Sequence, residues 1–187
     1  MASVIAVVGT HHSGKTTTIE YLISHLTKEG YSVGSVKHIH HEFSIDKEGT
    51  NTWRHMQAGS KVTVAVAPHE TAIIKKTDSA LNSLDDIIHL LSNEKLDFIF
   101  IEGFHELITK RDDIPRIVSA KNPEDLEVTL KKVSSPILAV TGLVAKQKME
   151  NKEPSTPVIN LPDEGDQLLD LVKNIRSKNL KKLSHHE

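Results

Sequence analysis

A segment of eight residues near the amino terminus has the residue types and spacing of a phosphate-binding loop. It runs from Gly9 to Thr16, reads Gly-Thr-His-His-Ser-Gly-Lys-Thr and matches the pattern G-x-x-x-x-G-K-[ST]. Glycines in this pattern allow backbone dihedral angles that turn successive N–H groups towards a phosphate. Lys15 supplies a cation for the β- and γ-phosphates, and the Thr16 hydroxyl is a ligand for Mg²⁺. The segment predicts a nucleotide site made of Gly9, Thr10, His11, His12, Ser13, Gly14, Lys15, Thr16 and Thr17.

The segments on either side of this loop indicate a strand and a helix. Residues 4–8 form a continuous apolar run of strand length, and residues 17–28 carry apolar side chains at the spacing of one helical face: Ile19, Leu22, Ile23 and Leu26. A helix that begins at the loop adds its unpaired N–H groups and the positive end of its dipole to an anion site. The loop therefore has the strand-loop-helix context that the phosphate-binding pattern requires.

Apolar runs of strand length alternate with helical patterns along the whole chain, which is typical of βαβ units. The runs cover residues 4–8, 31–37, 62–67, 98–101, 116–119 and 137–140, and the helical patterns cover 17–28, 84–91 and 166–178. Residues 70–76 are predicted to pair with 62–67 as an antiparallel hairpin, whereas 38–53 and 147–157 fit no regular element. We predict an α/β fold of the P-loop NTPase class: a mostly parallel sheet with helices on both faces and one antiparallel hairpin.

Length and composition limit the classes of function. The 187 residues suffice for one core, so we predict a single nucleotide-binding domain, 1–187, with 146–157 as a mobile connection and 179–187 as a polar tail. A net charge of -2 offers no basic field for nucleic acid or an anionic membrane. The chain has no cysteine, which excludes disulfides, thiolate metal sites and cysteine nucleophiles. The apolar runs are too short to span a membrane, and we expect a soluble, cytoplasmic protein.

Acidic residues near the predicted strand ends are candidates for binding Mg²⁺. Ligands of a doubly wound parallel sheet bind beyond the carboxyl ends of the strands. The run 98–101 ends in Glu102, and an acid at a strand tip after a phosphate loop holds Mg²⁺ directly or through water. We predict Glu102 and Asp46 as metal-binding and catalytic carboxylates, together with Lys15 as the catalytic cation and Thr16 as a metal ligand. Direct ligation by Glu102 and orientation of a water by Glu102 both stay open.

The segment that follows the run 31–37 is long, polar and irregular, and such connections are usually functional or disordered. Its candidate residues for a second ligand are Lys37, His38, His40, His41, Trp53 and Arg54. The histidines have three interpretations: ligands of a transition metal, contacts to an anionic ligand, or a solvated loop. Trp53 either stacks on a planar ligand or anchors the loop to the core.

Four motifs together resemble a known family. The phosphate loop is followed by Lys37-His38-x-His40-His41, by Ile45-Asp46-x-x-Gly49-x-x-Thr52-Trp53-Arg54-His55-x-x-Ala58-Gly59, and by Ile101-Glu102-Gly103-Phe104. In this order and spacing they resemble the molybdopterin-guanine dinucleotide biosynthesis protein B (MobB) family. The resemblance covers residues 4–104, a little over half of the chain.

The resemblance implies a guanine-nucleotide-binding protein of the SIMIBI branch of P-loop proteins that hydrolyses GTP weakly with Mg²⁺. It also implies a homodimer with intertwined subunits and a partner protein, the guanylyltransferase that joins GMP to molybdopterin. The segment 38–54 leaves the strand that follows the phosphate-loop helix, which in a doubly wound sheet ends at the ligand-bearing edge. We therefore expect this segment to line the site for the second ligand, the pterin or the partner's complex. The sequence has no Asn-Lys-x-Asp guanine motif, and Thr141 and Gly142 follow the run 137–140.

Two other functions use the same phosphate loop. An ATP-dependent small-molecule kinase normally has an arginine-rich lid, but residues 147–157 contain no arginine. A GTP-dependent metal chaperone would explain the histidines, yet such proteins usually add cysteine ligands. The sequence therefore favours a GTP-binding accessory protein of molybdenum cofactor biosynthesis.

Overall fold

A computed structural model describes residues 2–39, 41, 44–77, 83–147 and 156–183. The chain forms two compact units, residues 1–38 with 83–187 and residues 39–82. The strands are β1 (Ser3–Val8), β2 (Val33–Lys37), β3 (Val62–Ala67), β4 (Glu70–Lys75), β5 (Phe98–Glu102), β6 (Arg116–Ser119) and β7 (Ile137–Thr141). The α-helices are α1 (Lys15–Lys28), α2 (Asn51–Gln57), α3 (Leu84–His89), α4 (His105–Thr109), α5 (Pro123–Leu130) and α6 (Gly165–Leu183). The single domain predicted from the length stays a prediction.

The larger unit is built on a five-stranded sheet in the order β2-β5-β1-β6-β7. All four strand pairs are parallel. Glu102 at the end of β5 is in register with Val7 of β1 on one side and with Lys37 of β2 on the other. Because parallel strands end at the same edge, this register brings the phosphate loop after β1 next to Glu102 and Lys37.

Helices cover both faces of this sheet, because each central strand buries both sets of its alternating side chains. Ile5 and Val7 of β1 pack in a cluster with α1 and α6. Ala6 and Val8, which point to the other face, pack in a cluster with residues of α3, α4 and α5. The predicted P-loop fold class, a mostly parallel sheet between helices, is therefore confirmed.

The smaller unit contains α2 and the antiparallel hairpin of β3 and β4. The predicted pairing of these two strands is confirmed, with Val64 opposite Ile73. The prediction of irregular structure for 38–53 is wrong at its end, because α2 begins at Asn51. Thr50 caps this helix by accepting a hydrogen bond from the Trp53 backbone N–H at 3.2 Å.

The other differences from the predicted elements concern helices. The helices α4 and α5 were not predicted, and α1 begins at Lys15, two residues earlier than the helical pattern indicated. Most of the predicted mobile connection, 148–155, and the last residues of the predicted tail, 184–187, lie outside the described residues. In the described part of the chain, no helix combines the length and apolar character needed to cross a membrane.

Candidate nucleotide site

The loop from Gly9 to Gly14 connects β1 to α1 at the carboxyl edge of the sheet. Gly14 has φ 104° in the left-handed region, which favours glycine, and it directly precedes the first turn of the helix. At Gly9 a side chain has no room, because a Cβ there would collide with the Ser119 carbonyl oxygen. The two glycines predicted from the motif are thus required by close packing at one position and by backbone conformation at the other.

Thr16, Glu102 and Lys37 meet at the end of the sheet. The Thr16 hydroxyl donates to the Glu102 carboxylate, with distances of 3.1 and 3.3 Å to its two oxygens. Lys37 Nζ lies 3.4 Å from Glu102 Oε1, and the Glu102 side chain is only 14% exposed. A hydroxyl and a carboxylate side by side are the hard oxygen ligands that Mg²⁺ prefers. These residues therefore fit a magnesium ion beside a bound phosphate.

Lys15 Nζ donates to the carbonyl oxygen of Thr10 at 2.6 Å, within the phosphate loop. Burial lowers the pKa of the Lys15 ammonium, while the negative charge of Glu102 acts in the opposite direction. The ammonium is thus partly desolvated and held by a neutral carbonyl rather than by a carboxylate. Such a group is available to an incoming phosphate, which would replace a neutral acceptor with a charged one.

His11 and His12 are exposed in the loop, and their ring centroids are 3.8 Å apart. His12 has φ 58°, in the left-handed region that residues other than glycine rarely adopt. Backbone strain of this kind is common where a loop binds a ligand. The histidines therefore form part of the loop surface, as expected from their place in the motif.

Two polar residues that hold the loop were missed by the sequence reasoning. Ser119 at the end of β6 donates its hydroxyl to the Ser13 carbonyl at 2.8 Å. Asp125, in the first turn of α5, accepts a hydrogen bond from the Thr10 hydroxyl at 3.0 Å. Ser119 ends a predicted strand, so the rule that sites lie at carboxyl edges could have identified it. Asp125 gave no such signal, because α5 itself was not predicted.

His38 lies directly after β2 in the larger unit. Its backbone N–H donates to the Glu102 carbonyl at 2.9 Å, and its ring stacks on Phe104 with 4.3 Å between centroids. Phe104 follows Gly103 and has φ 54°. The structure therefore places His38 and Lys37 at the same strand end as Glu102, and their contact with a second ligand stays a prediction.

The other predicted site residues belong to the smaller unit. His41 and Arg54 are exposed, whereas Trp53 is half-buried on α2. Asp46 Oδ1 accepts from the Thr50 hydroxyl at 2.9 Å, and within the described residues its buried Oδ2 has no hydrogen-bond partner. An unsatisfied carboxylate oxygen suits a cation or a hydrogen-bond donor. His40 lies outside the described residues, among which no three His, Asp or Glu side chains form a group that could hold a metal ion.

The first strand of the parallel sheet leads through a glycine-containing phosphate loop into a helix, and the neighbouring strand carries a carboxylate at its tip. This arrangement defines the P-loop class of proteins. The family model of "Molybdopterin guanine dinucleotide synthesis protein B", MobB, matches residues 4–142. This chain belongs to the MobB family. The resemblance found in its motifs is therefore confirmed.

Known relatives and solved structures agree with this assignment. A relative from Methanocaldococcus jannaschii is 39% identical over 121 residues, which cover 65% of this chain and 48% of the relative. The chain thus spans about half of that relative's length. A protein of Haemophilus influenzae named molybdopterin-guanine dinucleotide biosynthesis adapter protein is 31% identical over 136 residues, covering 73% of this chain and 72% of that protein. A crystal structure of Bacillus subtilis MobB has a TM-score of 0.72 and 25% identity, covering 92% of this chain and 97% of that one.

Proposed function

We propose that this protein binds GTP with Mg²⁺ at the phosphate loop and acts as an adapter in the synthesis of molybdopterin guanine dinucleotide. The observation that carries the proposal is the contact of the Thr16 hydroxyl with Glu102 at 3.1 Å. It joins the last residue of the phosphate loop to the strand-tip carboxylate, and P-loop proteins use this pair around Mg²⁺. Family membership and the adapter role in the relatives' names support the biosynthetic part of the proposal.

The proposed roles of the residues follow from their contacts. Loop N–H groups and the start of α1 bind the phosphates, and Lys15 leaves the Thr10 carbonyl to bind the β- and γ-phosphates. Thr16 and Glu102 would hold a Mg²⁺ ion directly or through water, and the ion would neutralise charge on the phosphates. Lys37 lies close enough to Glu102 to balance its negative charge and to keep the carboxylate oriented. Hydrolysis is expected to be slow, as the family resemblance implies.

A reconstituted synthesis tests this function. The rate of molybdopterin guanine dinucleotide formation by a molybdopterin guanylyltransferase is measured with GTP, with and without this protein. The parent protein should raise the rate or the yield, and Lys15→Ala should not, because its loop lacks the cation for the phosphates. Lys28→Ala, at the far end of the same helix, is the matched control. If the parent and Lys15→Ala act equally, the adapter role does not depend on the nucleotide site.

We propose that the smaller unit binds the second ligand, the pterin or the guanylyltransferase that carries it. The support lies in Asp46, whose buried Oδ2 is unsatisfied among the described residues, and in the polar and aromatic side chains of α2. Arg54 offers an exposed cation for an anionic ligand, and the half-buried Trp53 offers a ring face.

The fluorescence of Trp53 tests this assignment, since it is the only tryptophan of the chain. Molybdopterin or the partner enzyme should change the signal more than GTP does. The double variant His40→Ala, His41→Ala should slow dinucleotide formation, with His89→Ala on α3 as a control for loss of a histidine. If neither molybdopterin nor the partner enzyme changes the fluorescence, and the double variant supports dinucleotide formation at the parental rate, the second ligand does not bind to the smaller unit.

We also propose that the protein is a homodimer formed through one face of the hairpin. Val62, Val64 and Val66 alternate along β3, and Ile73 lies opposite Val64 on the same face. These side chains are 46%, 52%, 78% and 70% exposed, respectively. A contiguous apolar face of this kind marks an interaction surface, and an unpartnered hairpin is marginally stable in water.

Light scattering on the purified protein tests the dimer. Val66→Lys combined with Ile73→Lys should convert a dimer to a monomer, because both changes place charges on the apolar face. Leu90→Lys, at a side chain that is 67% exposed at the end of α3, is the control and should leave the mass unchanged. A parent protein that is monomeric at micromolar concentration would contradict the proposal.

A further inference from the structure

The carboxylate of Asp125 contacts the phosphate loop from outside it. Asp125 Oδ2 accepts hydrogen bonds from the Thr10 hydroxyl at 3.0 Å and from the Lys121 backbone N–H at 2.9 Å. The same residue, Thr10, presents its carbonyl oxygen to Lys15 Nζ at 2.6 Å. One residue of the loop therefore links Asp125 to the lysine that the motif assigns to the phosphates.

The element that carries Asp125 is rigid. Asn122 caps α5, since its side-chain oxygen accepts a hydrogen bond from the Asp125 backbone N–H at 2.8 Å. Leu126, the next residue, is buried in the core, and β6 before the helix is fully buried in the sheet. A carboxylate with a fixed backbone and two hydrogen bonds has little freedom to move away from Thr10.

We propose that Asp125 is a positioning residue of the nucleotide site: it holds the Thr10 hydroxyl, so that the phosphate loop keeps the conformation that binds a nucleotide. The inference rests on the proposed nucleotide binding. A loop that adopts its binding conformation only part of the time has its affinity reduced by that fraction. The hydrogen bond from Thr10 to Asp125 on α5 avoids this loss of affinity. It also connects the start of the loop to the helix that follows β6, a neighbour of β1 in the sheet.

Electrostatics alone makes the opposite prediction. A carboxylate near an anionic ligand repels it, so removal of the Asp125 charge would tighten nucleotide binding if the side chain had no positioning role. The sign of the change in affinity therefore separates the two effects. Thr10→Val gives a second test, because it removes the hydroxyl at constant size and leaves the carboxylate in place.

The experiment measures the affinity for GTP with Mg²⁺ by calorimetry for the parent, Thr10→Val, Asp125→Ala and the double variant. Each single change should weaken binding about tenfold, the lower end of what a hydrogen bond to a charged group contributes. The double variant should also lose about tenfold rather than a hundredfold, because both changes break one link. Thr10→Ser keeps the hydroxyl and should restore parental affinity.

Thr27→Val is the matched control, because it removes a hydroxyl that, among the described residues, bonds to the backbone of α1 alone. It should bind GTP like the parent. Tighter binding by Asp125→Ala, additive losses in the double variant, or failure of Thr10→Ser to bind like the parent would overturn the positioning role. A parent that binds no nucleotide would overturn the proposed function as well, whereas a binding parent with unchanged Thr10→Val and Asp125→Ala would overturn this inference alone.

Discussion

Replacement of Glu102 by glutamine removes one negative charge at the centre of the candidate site and keeps the size of the side chain. In the structure Glu102 contacts the Thr16 hydroxyl and Lys37 Nζ. Glutamine can still accept the hydrogen bond from Thr16 through its amide oxygen, so the loop should keep its conformation. What is lost is the charge that holds Mg²⁺ or orients a water.

The contacts set the expected cost to stability. Lys37 Nζ is 3.4 Å from Glu102 Oε1, but the lysine side chain is 58% exposed. Water screens such a pair, so its loss should cost at most about 1 kcal/mol of the free energy of unfolding. For a chain of this size that lowers the melting temperature by about 2–4 °C. In contrast, loss of a carboxylate that acts on the attacking water should slow hydrolysis about 100-fold.

The assay is single-turnover hydrolysis of GTP with Mg²⁺, combined with a thermal melt of each protein. Glu106→Gln is the matched control, since Glu106 is exposed on α4 only one turn further along the chain. The expected result is a fall in rate for Glu102→Gln that is much larger than its loss of GTP affinity, with a melting temperature at most about 2–4 °C below that of the parent. An unchanged single-turnover rate would refute the role of Glu102 in hydrolysis.

Three further changes are expected to act in different ways. Thr16→Ala should weaken GTP binding more with Mg²⁺ than without it, and equal losses in calorimetry would contradict its role as a metal ligand. Arg116→Met should lower the free energy of unfolding by at least about 3 kcal/mol in a denaturant titration, because the guanidinium is fully buried and donates to three backbone carbonyls. Burial lowers the pKa of Lys15, so the folded state binds this proton less tightly than the unfolded chain. Lys15→Met should therefore have a higher free energy of unfolding than the parent at pH 7. This difference should vanish as the pH rises to the ordinary lysine pKa of about 10.4. A difference in melting temperature that stays the same across this pH range would contradict the prediction.

Strongly periodic elements could be predicted from the sequence, because burial dictates their pattern. The runs at β3 and β6 have the same bounds in the structure as in the sequence, and the helix face of Ile19, Leu22 and Leu26 is buried as expected. The short helices α4 and α5 could not be predicted in this way. Helix α4 has five residues, too few to show a periodic face. Helix α5 is set by its Asn122 cap and by Pro123 in its first turn, which are local signals outside the apolar periodicity.

The candidate site could be predicted in part, because only some of its residues belong to a local sequence pattern. Thr16 and Glu102 were found because a local motif and a strand end identify them, and the register of β1 with β5 brings them together. Asp125 was not found, because its contact with Thr10 joins residues 115 positions apart and depends on a helix that apolar periodicity does not indicate. Contacts of this kind appear only when the topology is known.

The phosphate loop is proposed to bind a guanine nucleotide through Lys15, and calorimetry with GTP and ATP tests this binding most directly. The parent should bind GTP more tightly than ATP and more tightly with Mg²⁺ than without it. Lys15→Ala should weaken GTP binding by about 100-fold or more, since a charge-assisted contact to phosphate is lost while the buried face of α1 is untouched. A parent that prefers ATP, or a Lys15→Ala variant that binds GTP as tightly as the parent, would contradict the claim.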